Sequence, residues 1–317
     1  MDYESINTYA LNRRDFIKAA AALGTSLVVN PWSALAESIQ SNSMRARKIP
    51  STGEELPVVG LGTWQQFDVD SDPVLTRPLK AVLQHLFQSG GTVIDTSPMY
   101  GRAETVLGTL LEDLGQTKKA FLATKVWTRG RDSGIRQMNQ SLRKLNVSTI
   151  DLMQVHNLVD WQTHLRTLQD WKEQGKVRYL GVTHYTASAF NELKTVMTNH
   201  DLDFVQLPYS IEFTRAEQTL LPLAEDRGIA VIVNRPFEAG SLFRGVQNEP
   251  LPEWASEIGC SSWAQYFLKY ILAHPSVTCV IPGTSNPDHM LDNARAGMGV
   301  LPDQAQRQQM RSYWKSI

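Results

Sequence analysis

From about Lys48 to residue 296 the chain alternates short apolar runs with segments of helical periodicity, and no Pro/Gly/Ser-rich linker interrupts the alternation. Few folds accept such a pattern. Short apolar runs bounded by turn residues read as strands buried on both faces, and the helical stretches between them supply the crossovers that parallel strands require. Strands are expected at 57–63, 92–97, 120–126, 150–156, 177–183, 204–209, 229–234 and 278–282. Helices are expected at 77–89, 103–114, 135–145, 164–174, 187–198, 217–227, 261–273 and 287–296. Gly90, Gly115, Gly175 and Gly228 stand at helix ends, where the chain must turn with a positive φ. Eight β/α units in about 250 residues predict an α/β chain folded as a (β/α)8 TIM barrel. A doubly wound sheet would carry a Gly-x-Gly-x-x-Gly turn after its first strand. Gly60-Leu61-Gly62-Thr63-Trp64 has the wrong spacing for that turn and leads into a polar loop. The Thr52-Gly53-Glu54 turn between apolar flanks adds a small N-terminal β-hairpin.

Residues 1–36 read as an address, 37–47 as a linker and 48–317 as the barrel. Asn12-Arg13-Arg14-Asp15-Phe16-Ile17-Lys18 resembles the twin-arginine export signal. An apolar stretch from Ala19 to Val29 follows, and Ala34-Leu35-Ala36 supplies the small-x-small pattern of a signal peptidase site. The apolar stretch is too short for a bilayer span, which needs roughly 20 residues. The expectation is a periplasmic or otherwise exported protein that meets the twin-arginine translocation machinery, without stable membrane insertion unless the signal is retained.

Composition narrows the partners. The sequence has 31 basic and 32 acidic side chains, for a formal net charge of −1, so it lacks the basic footprint of a nucleic-acid binder. Cys260 and Cys279 are too few for a disulfide framework and lack zinc-site spacing, so both are expected as buried packing residues and no metal site is expected.

Four polar residues stand at or just beyond the ends of expected strands: Asp95, Tyr100, Lys125 and His156. Parallel strands of a barrel open their carboxyl ends on one face, so these side chains should converge. Singly, Asp95 reads as a helix cap, His156 as a satisfied structural residue and Tyr100 as a packing aromatic. Lys125 differs, because an ammonium within the apolar run AFLATKVW is costly unless paired. Together they suit proton delivery. Lysine can lower the pKa of a nearby phenol, a carboxylate can keep the lysine charged, and histidine can bond a substrate oxygen or relay a second proton.

The chain resembles the aldo-keto reductase superfamily. The resemblance rests on Gly60–Trp64, on Asp95-Thr96-Ser97-Pro98-Met99-Tyr100-Gly101 with Glu104, on Thr124–Trp127 and on Gln154–His156. It continues through Gly181–His184, Val205–Ser210 and Ile281–Ser285, and ends at Asp292-Asn293. It implies a (β/α)8 barrel that binds NADPH, with NADH as competitor, and reduces a small carbonyl substrate to an alcohol. It further implies a catalytic tetrad of Asp95, Tyr100, Lys125 and His156, with Tyr100 as general acid. Implied cofactor contacts are Gly62, Thr63, Trp64, Asp95, Thr183, His184, Gln206 and Tyr209, then Gly283, Thr284, Ser285, His289, Asp292 and Asn293. Among these, Tyr209 would stack on the nicotinamide, while Gln206, Thr183 and His184 would hold its carboxamide.

Two departures matter. Thr183-His184 stands where the family usually has Ser-Asn, and Gly283 and His289 stand where phosphate-gripping Lys and Arg are common. Trp64, Met99 and Trp127 are expected around the opening near Tyr100 and His156, favouring apolar or aromatic carbonyls, while Trp161 reads equally as a rim residue or as barrel-top packing. The connection 237–261 is long enough to suggest a functional loop that clamps the cofactor. The alternative class is a cofactor-binding redox sensor with little catalysis. An intact Tyr100–Lys125 pair argues against it.

Overall fold

The computed structural model describes residues 43–317. The expected signal segment and most of the expected linker lie outside the described residues. A hairpin of β1 (Ala46–Lys48) and β2 (Glu55–Pro57) comes first, its first strand starting ahead of the expected boundary at Lys48. Then follow β3 (Leu61–Gly62), α1 (Pro73–Gln88), β4 (Val93–Asp95), α2 (Ala103–Asp113), β5 (Phe121–Val126), α3 (Arg131–Lys144), β6 (Ile150–His156) and α4 (Trp161–Glu173). The second half holds β7 (Val177–Thr183), α5 (Phe190–Asn199), β8 (Phe204–Pro208), α6 (Leu220–Arg227), β9 (Ala230–Asn234), α7 (Ser241–Gly245), α8 (Trp263–Leu272), β10 (Cys279–Val280), α9 (Pro287–Arg295) and α10 (Gln304–Trp314).

β3 to β10 form one parallel sheet in sequence order. Parallel bridges Val59↔Val280 and Gly62↔Gly283 bring its edges together, and Gly60 N–H and Gly62 N–H donate to the Val280 and Pro282 carbonyls at 2.9 and 3.1 Å. The expected barrel is therefore present, nearly closed.

Strand periodicity separates two cores. Val93, Phe121, Ala123, Leu152, Tyr179, Phe204, Ala230, Ile232, Cys279 and Ile281 point into the barrel, where Ile49 and Leu56 of the hairpin plug its lower end. The intervening residues, such as Val126, Met153, Val155, Val182, Val205 and Leu207, pack outward under the helices. Both cysteines are buried and unpaired, as expected.

Helix starts differ from the sequence reading. α1, α3 and α4 begin three or four residues earlier than expected. Local chemistry marks one of these starts: Asp72 accepts the Val74 N–H at 2.8 Å, and Pro73 follows it. α10 was not expected; Asp303 and Gln306 start it with a capping box. The connection 237–261 is also not a structureless loop, since α7 and a 3₁₀ turn at Glu253–Ile258 occupy much of it. No helix among the described residues is long and apolar enough to cross a membrane.

Candidate active site

Following the inner face upward turns apolar positions into polar ones. Phe121 and Ala123 lead to Lys125, Leu152 to Gln154 and His156, Phe204 to Gln206, and Ala230 and Ile232 to Asn234. Period two thus gathers, from separate strands, side chains that sequence distance keeps apart.

Lys125 is fully buried, and its Nζ donates to Asp95 Oδ2 and to the Thr96 carbonyl, both at 2.6 Å. Asp95 is also buried, and its Oδ1 accepts from Gln206 Nε2 at 2.8 Å and more loosely from Gln154 Nε2 at 3.3 Å. These bonds replace the water both charges have lost. Lys125 Nζ lies 5.0 Å from the Tyr100 ring centroid. The Tyr100 ring meets His156 edge-on, with centroids 5.8 Å apart. All four expected tetrad residues are therefore together.

Their electrostatics differ from the sequence expectation at two members. Burial raises the Tyr100 pKa; Lys125 opposes this and Asp95 adds to it, so the phenol sits above its ordinary value instead of below. Lys125 is pulled down by desolvation, but Asp95 and Tyr100 outweigh that and hold the ammonium charged. His156 is driven down to about 2 by burial, with Lys125 and His184 adding to the effect. It is neutral at working pH, which removes the second-relay role. Its Nδ1 lies 3.0 Å from Ser97 Oγ, which accepts the Met99 N–H at 3.3 Å. In the tautomer that accepts the Ser97 hydroxyl proton at Nδ1, the imidazole proton stands on Nε2.

The expected cofactor residues are less uniform. Gly62 belongs to the closing seam, and Thr63 is buried with its Oγ1 on the Asp95 carbonyl at 3.0 Å. Thr183 Oγ1 donates to Gln206 Oε1 at 3.0 Å, so both side chains are engaged within the barrel. His184 is half-buried at the rim, its Nδ1 accepting the Tyr185 and Thr186 N–H groups at 3.0 and 3.2 Å, which leaves Nε2 as the proton-bearing donor. Gly283, Ser285 and His289 are exposed, and Thr284 Oγ1 accepts the Asn286 N–H at 3.0 Å. Asp292 accepts from Ser262 Oγ and Gln265 Nε2, both at 2.6 Å, tying α9 to the start of α8, while Asn293 is buried.

Tyr209 is a correction. Just past the end of β8, Tyr209 packs with the outer core under the helices and has no exposed surface on which a nicotinamide could stack. Its hydroxyl donates to Glu217 Oε1 at 2.5 Å beside Arg307 of α10. Trp161 takes the packing role that was one of its two readings: its Nε1 donates to Glu192 at 3.0 Å and its ring meets His200, so it joins α4 to α5. Trp64, Met99 and Trp127 are exposed, and the Trp127 ring centroid lies 6.4 Å from that of His156. Sequence reasoning missed Ser97, and it gave Gln154 and Asn234 no role. Inner-face parity would have found the latter two. Asn234 Nδ2 donates to the His184 carbonyl and to Gln206 Oε1, both at 3.3 Å.

The aldo/keto reductase family model matches residues 58–313. The chain belongs to the aldo/keto reductase family. Among curated relatives of this reductase is methylglyoxal reductase YeaE of Escherichia coli, 29% identical over 259 residues that cover 79% of the chain and 89% of that relative. Aldo-keto reductase YhdN of Bacillus subtilis is 27% identical over 229 residues, 66% of each chain. A Klebsiella pneumoniae aldo-keto reductase solved with NADPH superposes with a TM-score of 0.73 at 24% identity, covering 86% of this chain and 96% of that one. Family membership makes this chain an oxidoreductase.

Proposed function

We propose that this reductase converts aldehydes and ketones to alcohols with NADPH, Tyr100 being the proton donor. The observation that carries the reading is the fully buried Lys125–Asp95 pair beside a tyrosine at the barrel mouth. Such a pair is expensive to bury, and a purely structural role would be met as well by apolar residues.

The cofactor fits the donor set. His184 offers a fixed Nε2–H, Asn234 Oδ1 is buried without a side-chain or backbone partner, and Asn234 Nδ2 donates to the His184 carbonyl across the end of β8. Donor beside acceptor matches the chemistry of a primary carboxamide. Gly283, Thr284, Ser285 and His289 at the start of α9 would face the adenosine end. No lysine or arginine stands among them and Asp288 is exposed in the same turn, so NADH competes with NADPH.

When bound, the cofactor supplies a hydride to the carbonyl carbon. Tyr100 gives its phenolic proton to the carbonyl oxygen. Lys125 stabilises the phenolate left behind, and Asp95 with Gln206 keeps Lys125 charged and oriented. His156 Nε2–H bonds the same oxygen, holding the carbonyl toward Tyr100. Trp64, Met99 and Trp127 give the mouth an apolar rim suited to small apolar or aromatic carbonyls.

Loss of reduced-cofactor absorbance with a small aldehyde tests the reading. Tyr100→Phe is expected to lower kcat roughly a hundredfold to ten-thousandfold with cofactor affinity kept; equal rates would remove Tyr100 from the acid role. We also place the enzyme outside the cytoplasm, on the strength of the Arg13-Arg14 segment. Arg13→Lys with Arg14→Lys should retain the protein in the cytoplasmic fraction, and unchanged fractionation would refute export by this route.

A further inference from the structure

Trp127 is 41% exposed at the mouth, yet the backbone that carries it is held from two helices. It is the first residue beyond β5, whose pairing with β6 ends at Val126↔Val155, so the ladder no longer serves its N–H and C=O. Gln137 of α3 takes over both groups. Its Oε1 accepts the Trp127 N–H at 2.5 Å, and its Nε2 donates to the Trp127 carbonyl at 3.1 Å. One amide side chain thus stands in for a neighbouring strand. Gln137 can reach because helical spacing places it on the inward stripe of α3 with buried Gly134, Met138 and Ser141.

The residues that follow are tied from α4 and the turn before it. His164 Nε2 donates to the Thr128 carbonyl at 2.7 Å, and its ring lies so close under α3 that a Cβ on Gly134 would stand 2.5 Å from His164 Cε1. The Gly130 N–H donates to Asp160 Oδ2 at 2.7 Å, and that bond is the first cause holding the Asp160 carboxyl below its ordinary range. Asp160 ends a turn that starts directly after His156, in which Asn157, Leu158 and Asp160 have φ of 54°, 55° and 51°. Side-chain-bearing residues avoid that region, and such strain persists where surrounding contacts over-determine it, often at functional sites. Residues 127–130 are therefore fixed beside the strand end that carries His156.

We infer that Gln137 is a positioning residue for substrate specificity: by fixing the Trp127 backbone it sets the indole beside His156, with ring centroids 6.4 Å apart, as a wall for the flat group of an aromatic carbonyl. The inference rests on the carbonyl reduction proposed above. An aromatic ring gains contact area and stacking from an indole held in one place, whereas a short aliphatic chain covers little of it. Gln137 acts only through Trp127, so its loss should raise KM and leave proton transfer from Tyr100 alone.

Steady-state kinetics with benzaldehyde and propanal at saturating NADPH test this. Gln137→Leu is expected to raise KM for benzaldehyde roughly tenfold, with kcat and both propanal constants within about twofold of native. Gln137→Glu keeps an acceptor for the Trp127 N–H and should fall between native and leucine. Gln137→Leu should add nothing to the effect of Trp127→Ala, because the residue it positions is then gone. Asp160→Gly suits the left-handed backbone while releasing Gly130, and should shift the benzaldehyde KM in the same direction. Thermal melts check that each variant folds. An unchanged benzaldehyde KM in Gln137→Leu, an equal rise for propanal, or full additivity with Trp127→Ala overturns the inference and leaves the reductase reading standing. No turnover of either aldehyde by the native protein would overturn both.

Discussion

At the lower end of the barrel Arg178 sits between Glu54 and Asp151, with its side chain 43% exposed, whereas at the upper end Lys125 and Asp95 are 0% and 4% exposed. The apolar surface is distributed the other way. Ile49 and Leu56 are hidden beneath the hairpin, while Trp64, Met99 and Trp127 stand exposed around the mouth. The lower end obeys ordinary surface logic, with charge toward water and apolar groups inside. The upper end inverts it. The inversion has a cost that only a large core can offset, and the apolar plug and outer helix layer provide that core. It also puts a phenol next to a fixed positive charge at the mouth, which is what the proposed reduction would use.

The largest expected effect tests whether the upper charges depend on each other. Lys125→Met leaves Asp95 buried without a counter-charge, and should lower unfolding free energy by about 3–5 kcal/mol as well as abolish turnover. Urea denaturation would measure the first, and a loss below about 1 kcal/mol would mean that Gln154 and Gln206 alone satisfy the carboxylate.

A smaller effect concerns His156. Its folded pKa, about 2, lies below its unfolded value. As pH falls, the unfolded chain therefore takes up the proton first. The stability linked to His156 is complete above about pH 6.5 and should decline by about 2 kcal/mol by pH 5. His156→Asn should remove that part of the acid sensitivity, seen as a smaller shift of the urea midpoint between the two pH values. The same depressed pKa predicts no acid limb from His156 in kcat between about pH 5 and 8. A limb there that disappears in the asparagine variant would contradict a neutral His156.

The smallest effect belongs to the lower end. Arg178→Gln breaks a partly exposed ion-pair network and should cost about 1 kcal/mol or less, leaving kcat and KM unchanged. A change in KM would show that the two ends are coupled, and would break the comparison.

Most of the barrel was legible because strand and helix periods differ and glycines mark helix ends. Helix starts were not, since a single first turn is too short to show a helical period; Asp72-Pro73 was readable only as cap chemistry. Asp95, Tyr100, Lys125 and His156 were legible because a lysine inside an apolar strand demands a partner. Tyr209 misled because a motif match does not say what a residue just past the end of β8 packs against. Ser97 and Gln137 gave no sequence signal, since their meaning lies in what they touch.

By itself, then, the sequence determined eight parallel strand–helix units, one open end and the polar residues that meet there, because periodicity and the desolvation cost of Lys125 are local properties. Tertiary structure alone decided that Tyr100 lies above the ordinary phenol range, that His156 is neutral, and that Gln206 and Thr183 bond within the barrel. Those outcomes depend on burial and on the distances between charges from different strands, and neither exists until the barrel closes.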